Sequence, residues 1–467
     1  MGQRDDDKKI LWHTLAFMAF STVWGFGNVI NGFSEYGGLR AIVSWILIFA
    51  IYFVPYALMV GELGSTFKDA GGGVSSWIQE TIGPRMAYYA GWTYWVVHMP
   101  YISQKPNSTV IAASWALFQD KRASSMDTTV MQLICLVIFL FAMYLSSKGM
   151  GVLKRLSALA GSTMFIMSML FIAMMVAAPA LTGGTFMTIQ WSWRTFIPTF
   201  DASFFMGLSI LVFAVGGCEK ISPYVNKMKD PSRDFSKGMA ALALMVAVTA
   251  ILGTVALGMM FDSSHIPPDL MTNGAYYAFQ RLGEYYHVGN FFVIVYALTN
   301  LIGQFSVMVL SVDAPLRMLL DSADTRFIPR KMFEKNEHGT YVNGHRLVML
   351  IVCVLIIVPA FGIRNVDVLV RWLVKVNSVC MPLRYLWVFV AYIALKKAGD
   401  AYHAQYQFLK GKTAGILVGI WCFGFTAFAC ITGIYSDDLF QLVLNIVTPF
   451  VLVGLGFILP WLAAREN

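Results

Sequence analysis

The sequence predicts an all-α integral membrane protein of about twelve transmembrane helices, and three observations predict it. Hydrophobic residues fill 57% of the 467 positions and charged ones 13%, for a mean hydropathy of +0.63, which excludes an ordinary soluble enzyme. Apolar runs of roughly 20 residues, enough to cross about 30 Å of hydrocarbon, are centred near residues 22, 52, 100, 138, 168, 213, 249, 302, 354, 383, 423 and 452. The first and the sixth of these runs are interrupted by glycines at mid-depth, a pattern that predicts two five-helix halves of inverted topology.

Taken in order, residues 1–9 of the opening "MGQRDDDKKI" are expected to form a cytoplasmic tail. No small-residue cleavage site follows, so the first run reads as a retained helix and not a removed signal peptide. The serine or threonine of a myristoylation signal is missing as well. A ten-helix core is expected over residues 10–395, a cytoplasmic connection over 396–411, and helices eleven and twelve over 412–465. Placing both termini inside puts most of the 34 Lys and Arg on the inner side, the orientation that the positive-inside rule selects for a cell-membrane protein. The net charge of +8 is then a feature of topology, and nucleic acid is not expected as a partner.

The "NST" at Asn107 spells a glycosylation sequon but falls inside the third span, while "GFG" and the "GGG" at 71–73 lack the strand and helix context of a nucleotide loop. Connections are short apart from an outer loop at about 262–288 and inner segments at about 318–345 and 396–411. None has room for a soluble domain, so a pump driven by ATP or a membrane-bound enzyme is disfavoured and no cofactor is expected. Cys135, Cys218, Cys353, Cys380, Cys422 and Cys430 all lie in apolar runs without a C-x-x-C pair, and neither a metal site nor a disulfide framework is expected.

The two interruptions carry the functional reading. In "FSTVWGFGNVINGF", residues 20–33, Gly25 and Gly27 flank Phe26 and precede Asn28; in "FMGLSILVFAVGGCEKISPYVNKM", Gly216 and Gly217 precede Cys218 and Glu219. A glycine costs a helix interior about 1 kcal/mol relative to alanine, so each pair marks a place where regular helix is easily lost. Non-helical backbone at membrane depth is tolerated only where protein buries it or where it lines a wet cavity. Such breaks expose N–H groups at one half-helix start and carbonyls at the other end, which suits a ligand carrying both a carboxylate and an ammonium group. Close helix packing by small residues is the bland alternative; pairs in corresponding spans favour the site.

At these residues the sequence resembles the amino acid–polyamine–organocation superfamily of permeases. "GGCEKISPYVNKMKDPSRDFSKGM" looks like that family's sixth-span signature, and "MVGELGSTFKDAGGGVSSWIQETIGPRMAYYAGW" resembles its second span and first inner loop. With "APLRMLLDSADTRFIPRKMF" after the eighth span, the likeness covers roughly residues 10 to 395 and is greatest to the bacterial glutamate/GABA antiporter group. The resemblance implies a LeuT-like 5+5 inverted-repeat core, alternating access, and an amino acid or its decarboxylation product as cargo. By position it implies that Gly25, Phe26 and Gly27 receive the substrate carboxylate, with Phe26 where relatives carry a small hydroxyl residue. It also implies that Gly216 and Gly217 form the sixth-span break, that Phe213 is a gating aromatic and that Glu219 couples occupancy to the gate.

Ionisable groups within spans are costly and so are functional candidates. Lys105 in the third span and Lys375 in the tenth are expected either to pair with buried acids such as Glu219 or to meet an acidic substrate side chain. Tyr101, on the helical face near Lys105, and Asn377, near Lys375, join the candidate lining with Asn28 and Cys218. Lys220, Arg371 and Arg384 are expected to reach toward water along their stems. His98 is a candidate pH sensor, the alternative being a neutral, hydrogen-bonded imidazole. The fifth span, Leu156 to about Leu181, contains no lysine, whereas proton-coupled members of the resembled superfamily carry one there. An exchanger of glutamate/GABA-like or neutral amino acids, possible as a homodimer in the bilayer, is therefore the expected function. A proton-coupled symporter and a non-transporting sensor are the alternatives.

Overall fold

The computed structural model describes residues 10–466 apart from 71–72, 149, 183–190, 321–323, 403 and 405. Among these the regular structure is helical, with two isolated bridge pairs, Ile10 with Met228 and Lys335 with Tyr341. Ten helical segments are long and apolar enough to cross a membrane, from Gly38–Thr66 to Leu439–Glu466. The remaining two expected spans differ from these for physical reasons. The first is divided into Trp12–Val23 and Phe26–Glu35, each too short to cross alone, and the third, Pro84–Val96 with His98–Phe118, carries the polar run "SQKPNST". Large apolar side chains such as Leu117, Val137, Ile431 and Phe450 stand exposed along the outer faces, where lipid is their proper solvent.

The sixth span is helical over Ala202–Val215, extended at Gly216, and resumes as a 3₁₀ helix over Cys218–Lys227. A 3₁₀ run of that length is uncommon and marks a hinge or strain. The seventh span, Pro231–Met260, packs along both the first and the second, and the third packs along the eighth, Phe291–Leu320. The tenth is itself divided at Met381–Pro382 into Val366–Cys380 and Leu383–Ala398, because Pro382 has no N–H for the preceding turn. The eleventh, Lys412–Gly433, packs on both the tenth and the sixth.

One expectation needs correction here. The segment at about 262–288, read as an outer loop, contains a helix, Leu270–Tyr285, that packs on Phe26–Glu35 and on the eighth span. Leu270, Tyr276, Phe279 and Leu282 bury one face of it, a 3.6-residue periodicity present in the sequence but shorter than a span.

Candidate functional site

The first-span break is narrower than expected. Only Trp24 and Gly25 are extended, and Phe26, Gly27 and Asn28 form the first turn of the helix that follows. At that turn the N–H groups of Phe26 and Gly27 have no carbonyl one turn earlier to accept them, while the Asn28 N–H donates to the Gly25 carbonyl at 2.9 Å. A Cβ added to Gly25 or Gly27 meets no atom within 4 Å, and Gly27 is solvent-exposed although it lies at the middle of the bundle. These glycines therefore face open space. The Phe26 ring turns away from it into an aromatic nest of Phe171, Phe279 and Tyr296, at ring distances of 4.6, 5.7 and 6.2 Å. What this position offers a ligand is backbone N–H.

Asn28 ties the two breaks together. Its side-chain amide donates to the Ala214 carbonyl at 3.2 Å and to the Val23 carbonyl at 3.4 Å, both in the last turn before an interruption. The sixth-span break is otherwise the opposite of the first. Gly217 has φ +107°, a conformation that L side chains rarely adopt, and a Cβ on Gly216 would overlap the Tyr385 ring. Cys218 is fully buried against Tyr56 and does not reach the open space beside Gly27.

Glu219 is fully buried and holds two partners from distant spans. The Tyr56 hydroxyl donates to it at 2.5 Å, and the Arg384 guanidinium lies 3.3 Å away. Arg384 in turn donates to His98 Nε2 at 2.8 Å, and His98 Nδ1 donates to the Tyr94 carbonyl at 2.7 Å. A ring nitrogen that accepts from arginine carries no proton, so this geometry is that of a neutral imidazole with a fixed tautomer, the second of the two readings of His98. Two expectations are overturned. Arg384 does not reach toward water, and the partner of Glu219 is Arg384, not Lys105 or Lys375. The sequence signal that could have found Arg384 is Pro382, two residues before it, which starts a new half-helix in mid-span.

Between the third and sixth spans two cations share one aromatic ring. Lys105 Nζ lies 4.3 Å from the centre of Tyr101, and Lys220 Nζ 5.8 Å from the same ring. Phe213 meets Tyr101 edge-on at 6.5 Å. Lys220 was expected to reach water; it faces this ring instead, because the 3₁₀ turn after Gly217 brings it round toward the third span. Lys105 also donates to Gln304 at 3.0 Å, and Asn377 donates to Gln104 at 2.7 Å while its own carbonyl oxygen is buried without a partner. Lys375 is not part of this group. It lies near Glu35, as does Arg371, which is exposed and donates to the Pro268 carbonyl at 2.6 Å.

A second buried acid, Glu62 in the second span, lies in a motif of the sequence whose partners are more than 300 residues away. It pairs with Lys396 and accepts from Tyr392 at 3.2 Å and from the Phe408 N–H at 2.8 Å, tying residues 396–411 to the second span. At the other end of the bundle a cavity of about 540 Å³ is lined by Asp269, Tyr277, Gln280 and Arg281. Burial works to raise the Asp269 carboxyl, but hydrogen bonds from Tyr277 at 2.6 Å and Lys121 at 3.3 Å outweigh it and hold it below its ordinary value.

Comparison with known proteins fits this geometry. Residues 10–459 match the family model described as amino acid permease. The chain is 49% identical to the aspartate/glutamate permease AcaP of Lactococcus lactis subsp. cremoris over 99% of its own length and 97% of the relative's. It is 23% identical to the glutamate/gamma-aminobutyrate antiporter of Lactococcus lactis subsp. lactis, over 79% of this chain and 73% of the other. It is also 23% identical to the probable agmatine/putrescine antiporter AguD of the same subspecies, over 76% and 72%.

Proposed function

The chain belongs to the amino acid permease family, and from that premise we propose that it carries an acidic amino acid, aspartate or glutamate, by exchange across the cell membrane. The observation that carries the reading is the pair of cations, Lys105 and Lys220, on the one ring of Tyr101, with Lys220 beside Gly217 of the sixth-span break. The acid adjoining them, Glu219, is committed to Arg384 and Tyr56, so the cleft holds positive charge that a second carboxylate would neutralise. The substrate's α-carboxylate meets the N–H groups of Phe26 and Gly27 at the positive end of their helix. Its ammonium meets the carbonyl ends of Trp12–Val23 and Ala202–Val215, where the helix dipoles are negative.

Further support comes from the relative at 49% identity, which is named for acidic substrates, against 23% for the agmatine/putrescine antiporter. The positive-inside bias supports cytoplasmic termini, and the absence of a fifth-span lysine supports exchange over lysine-driven proton symport. Counterflow in proteoliposomes tests the reading. Aspartate-loaded vesicles are expected to accumulate labelled aspartate, with glutamate competing and arginine and agmatine inert, and empty vesicles to accumulate little. Lys105→Met is expected to lower acidic uptake by about 30-fold, as removing one partner of a buried ion pair costs roughly 2 kcal/mol or more. Strong exchange of arginine or agmatine with glutamate inert overturns the proposal.

A further inference from the structure

Lys105 is the first member of an unbroken chain of hydrogen bonds that leaves the cleft. It donates to Gln304 Oε1 at 3.0 Å; Gln304 Nε2 donates to Asn300 Oδ1 at 2.9 Å; Asn300 Nδ2 donates to the Tyr276 hydroxyl at 2.8 Å. Tyr276 belongs to the short helix Leu270–Tyr285, and its ring is stacked on Trp115 at 5.2 Å and 3°. Trp115 donates in turn to Asn273 of the same helix at 2.9 Å. The chain has a fixed direction. A lysine ammonium has donors only, so Gln304 must present its oxygen to Lys105, which leaves its amide hydrogens for Asn300 and fixes Asn300 the same way. Asn300 and Tyr276 are both buried, hence the links between them matter more than they would in water.

We propose that Gln304, Asn300 and Tyr276 are positioning residues through which the charge state of the cleft sets the anchoring of the helix Leu270–Tyr285; this rests on the acidic-cargo reading. With the cleft empty, Lys105 donates to Gln304 and the helix is held to the eighth span through Tyr276. A substrate carboxylate forms a charge-assisted bond to Lys105, stronger than the neutral one to Gln304. Drawing Lys105 off Gln304 removes the donor that orients the chain and releases the helix. A substrate without a side-chain carboxylate leaves Lys105 in place. The helix lines the cavity of about 540 Å³ at its end of the bundle, so its release changes access there.

The test places a cysteine at Gln280, which lines that cavity, in the full chain in nanodiscs, and follows its modification by a polar maleimide with and without aspartate. The six native cysteines, measured in the parent chain, give the background. Saturating aspartate is expected to speed modification of Gln280→Cys by about five-fold or more, the low end of ordinary coupling between sites. Adding Tyr276→Phe, which keeps the ring on Trp115 and removes the last link, is expected to give the fast rate with or without aspartate. Asn300→Leu is the second variant and is expected to do the same. Aspartate affinity, by equilibrium dialysis on the same nanodiscs, is expected to rise by about five-fold or more in Tyr276→Phe, because binding there no longer has to release the helix and linkage makes the two factors equal. A rate that aspartate leaves level or lowers in Gln280→Cys overturns the relay, as does an aspartate response that survives Tyr276→Phe and Asn300→Leu. Absence of aspartate binding in the parent chain overturns the acidic-cargo reading itself, and the relay with it.

Discussion

The first and sixth spans are broken by the same sequence device, a glycine pair in an apolar run, yet the two breaks are physically opposite. At the first, missing side chains leave open space: a Cβ on Gly25 or Gly27 would touch nothing within 4 Å. At the sixth, missing side chains are occupied by protein. The Tyr385 ring fills the place of a Gly216 side chain, and the next acid is buried in an ion pair with Arg384. One break borders open space and the other is a packed joint. The contrast teaches that a glycine interruption predicts where helix stops and says nothing of what uses the gap. That is settled by side chains arriving from other spans, here Tyr385 and Arg384 from the tenth.

The largest expected effect is at the packed joint. Arg384→Met leaves Glu219 buried with the Tyr56 hydroxyl alone, and losing one partner of a buried pair costs about 3–5 kcal/mol. The loss is to be read as unfolding free energy in mixed micelles. Adding Glu219→Gln to Arg384→Met is expected to restore most of it, because no unpaired charge then remains. A double variant as unstable as the single one would mean that the ion pair is not what holds this break. Glu219→Gln in an otherwise native chain also tests whether the pair couples occupancy to gate movement. Unchanged exchange rate and pH dependence in liposomes would leave Glu219 a purely structural residue.

Much of this architecture was legible in the sequence. The helical membrane fold, the two interrupted runs and the place of Asn28, Tyr101 and Lys105 within membrane helices follow from apolar length, glycine placement and intramembrane charge, all local properties. What was not legible depends on pairing across the chain. Arg384 reads as a snorkelling side chain until Pro382 is seen to start a new half-helix that aims it at Glu219. Lys220 reads the same way until the 3₁₀ turn after Gly217 rotates it onto Tyr101. The polar chain through Gln304 and Asn300 consists of uncharged residues one helical turn apart, a spacing that any solvated helix face shares. Lys375 had the charge and span expected of a site residue, and its place near Glu35 is a matter of helical phase.

Gly216→Ala comes next in size and tests the same joint by volume alone. The added methyl would enter the space of the Tyr385 ring, and overpacking of this kind costs about 1–3 kcal/mol. Lowered thermal stability is the expected outcome, with Tyr385→Leu in the same chain recovering part of it by vacating the space. Were Gly216→Ala as stable as the parent chain, the sixth-span glycine would not be a packing residue and the contrast with the first span would fail there.

The smallest effect on stability, and the one that sharpens the comparison most, is expected at Gly27. An alanine there meets no protein atom and replaces a glycine in the first turn of Phe26–Glu35, so stability should hold level or rise by up to about 1 kcal/mol, the helix-propensity difference. Binding should move the other way. The new methyl occupies the open space in front of the N–H groups of Phe26 and Gly27, where a carboxylate approaches. Hydrogen bonds to a charged group contribute roughly 1.5–3 kcal/mol, so even partial lengthening is expected to weaken aspartate binding by about ten-fold. Isothermal calorimetry and thermal unfolding on one preparation give both numbers. A stable Gly27→Ala protein with wild-type affinity would remove the backbone of the first break from the binding site. Loss of stability together with affinity would make Gly27 a packing glycine like Gly216, and the two breaks would be alike after all.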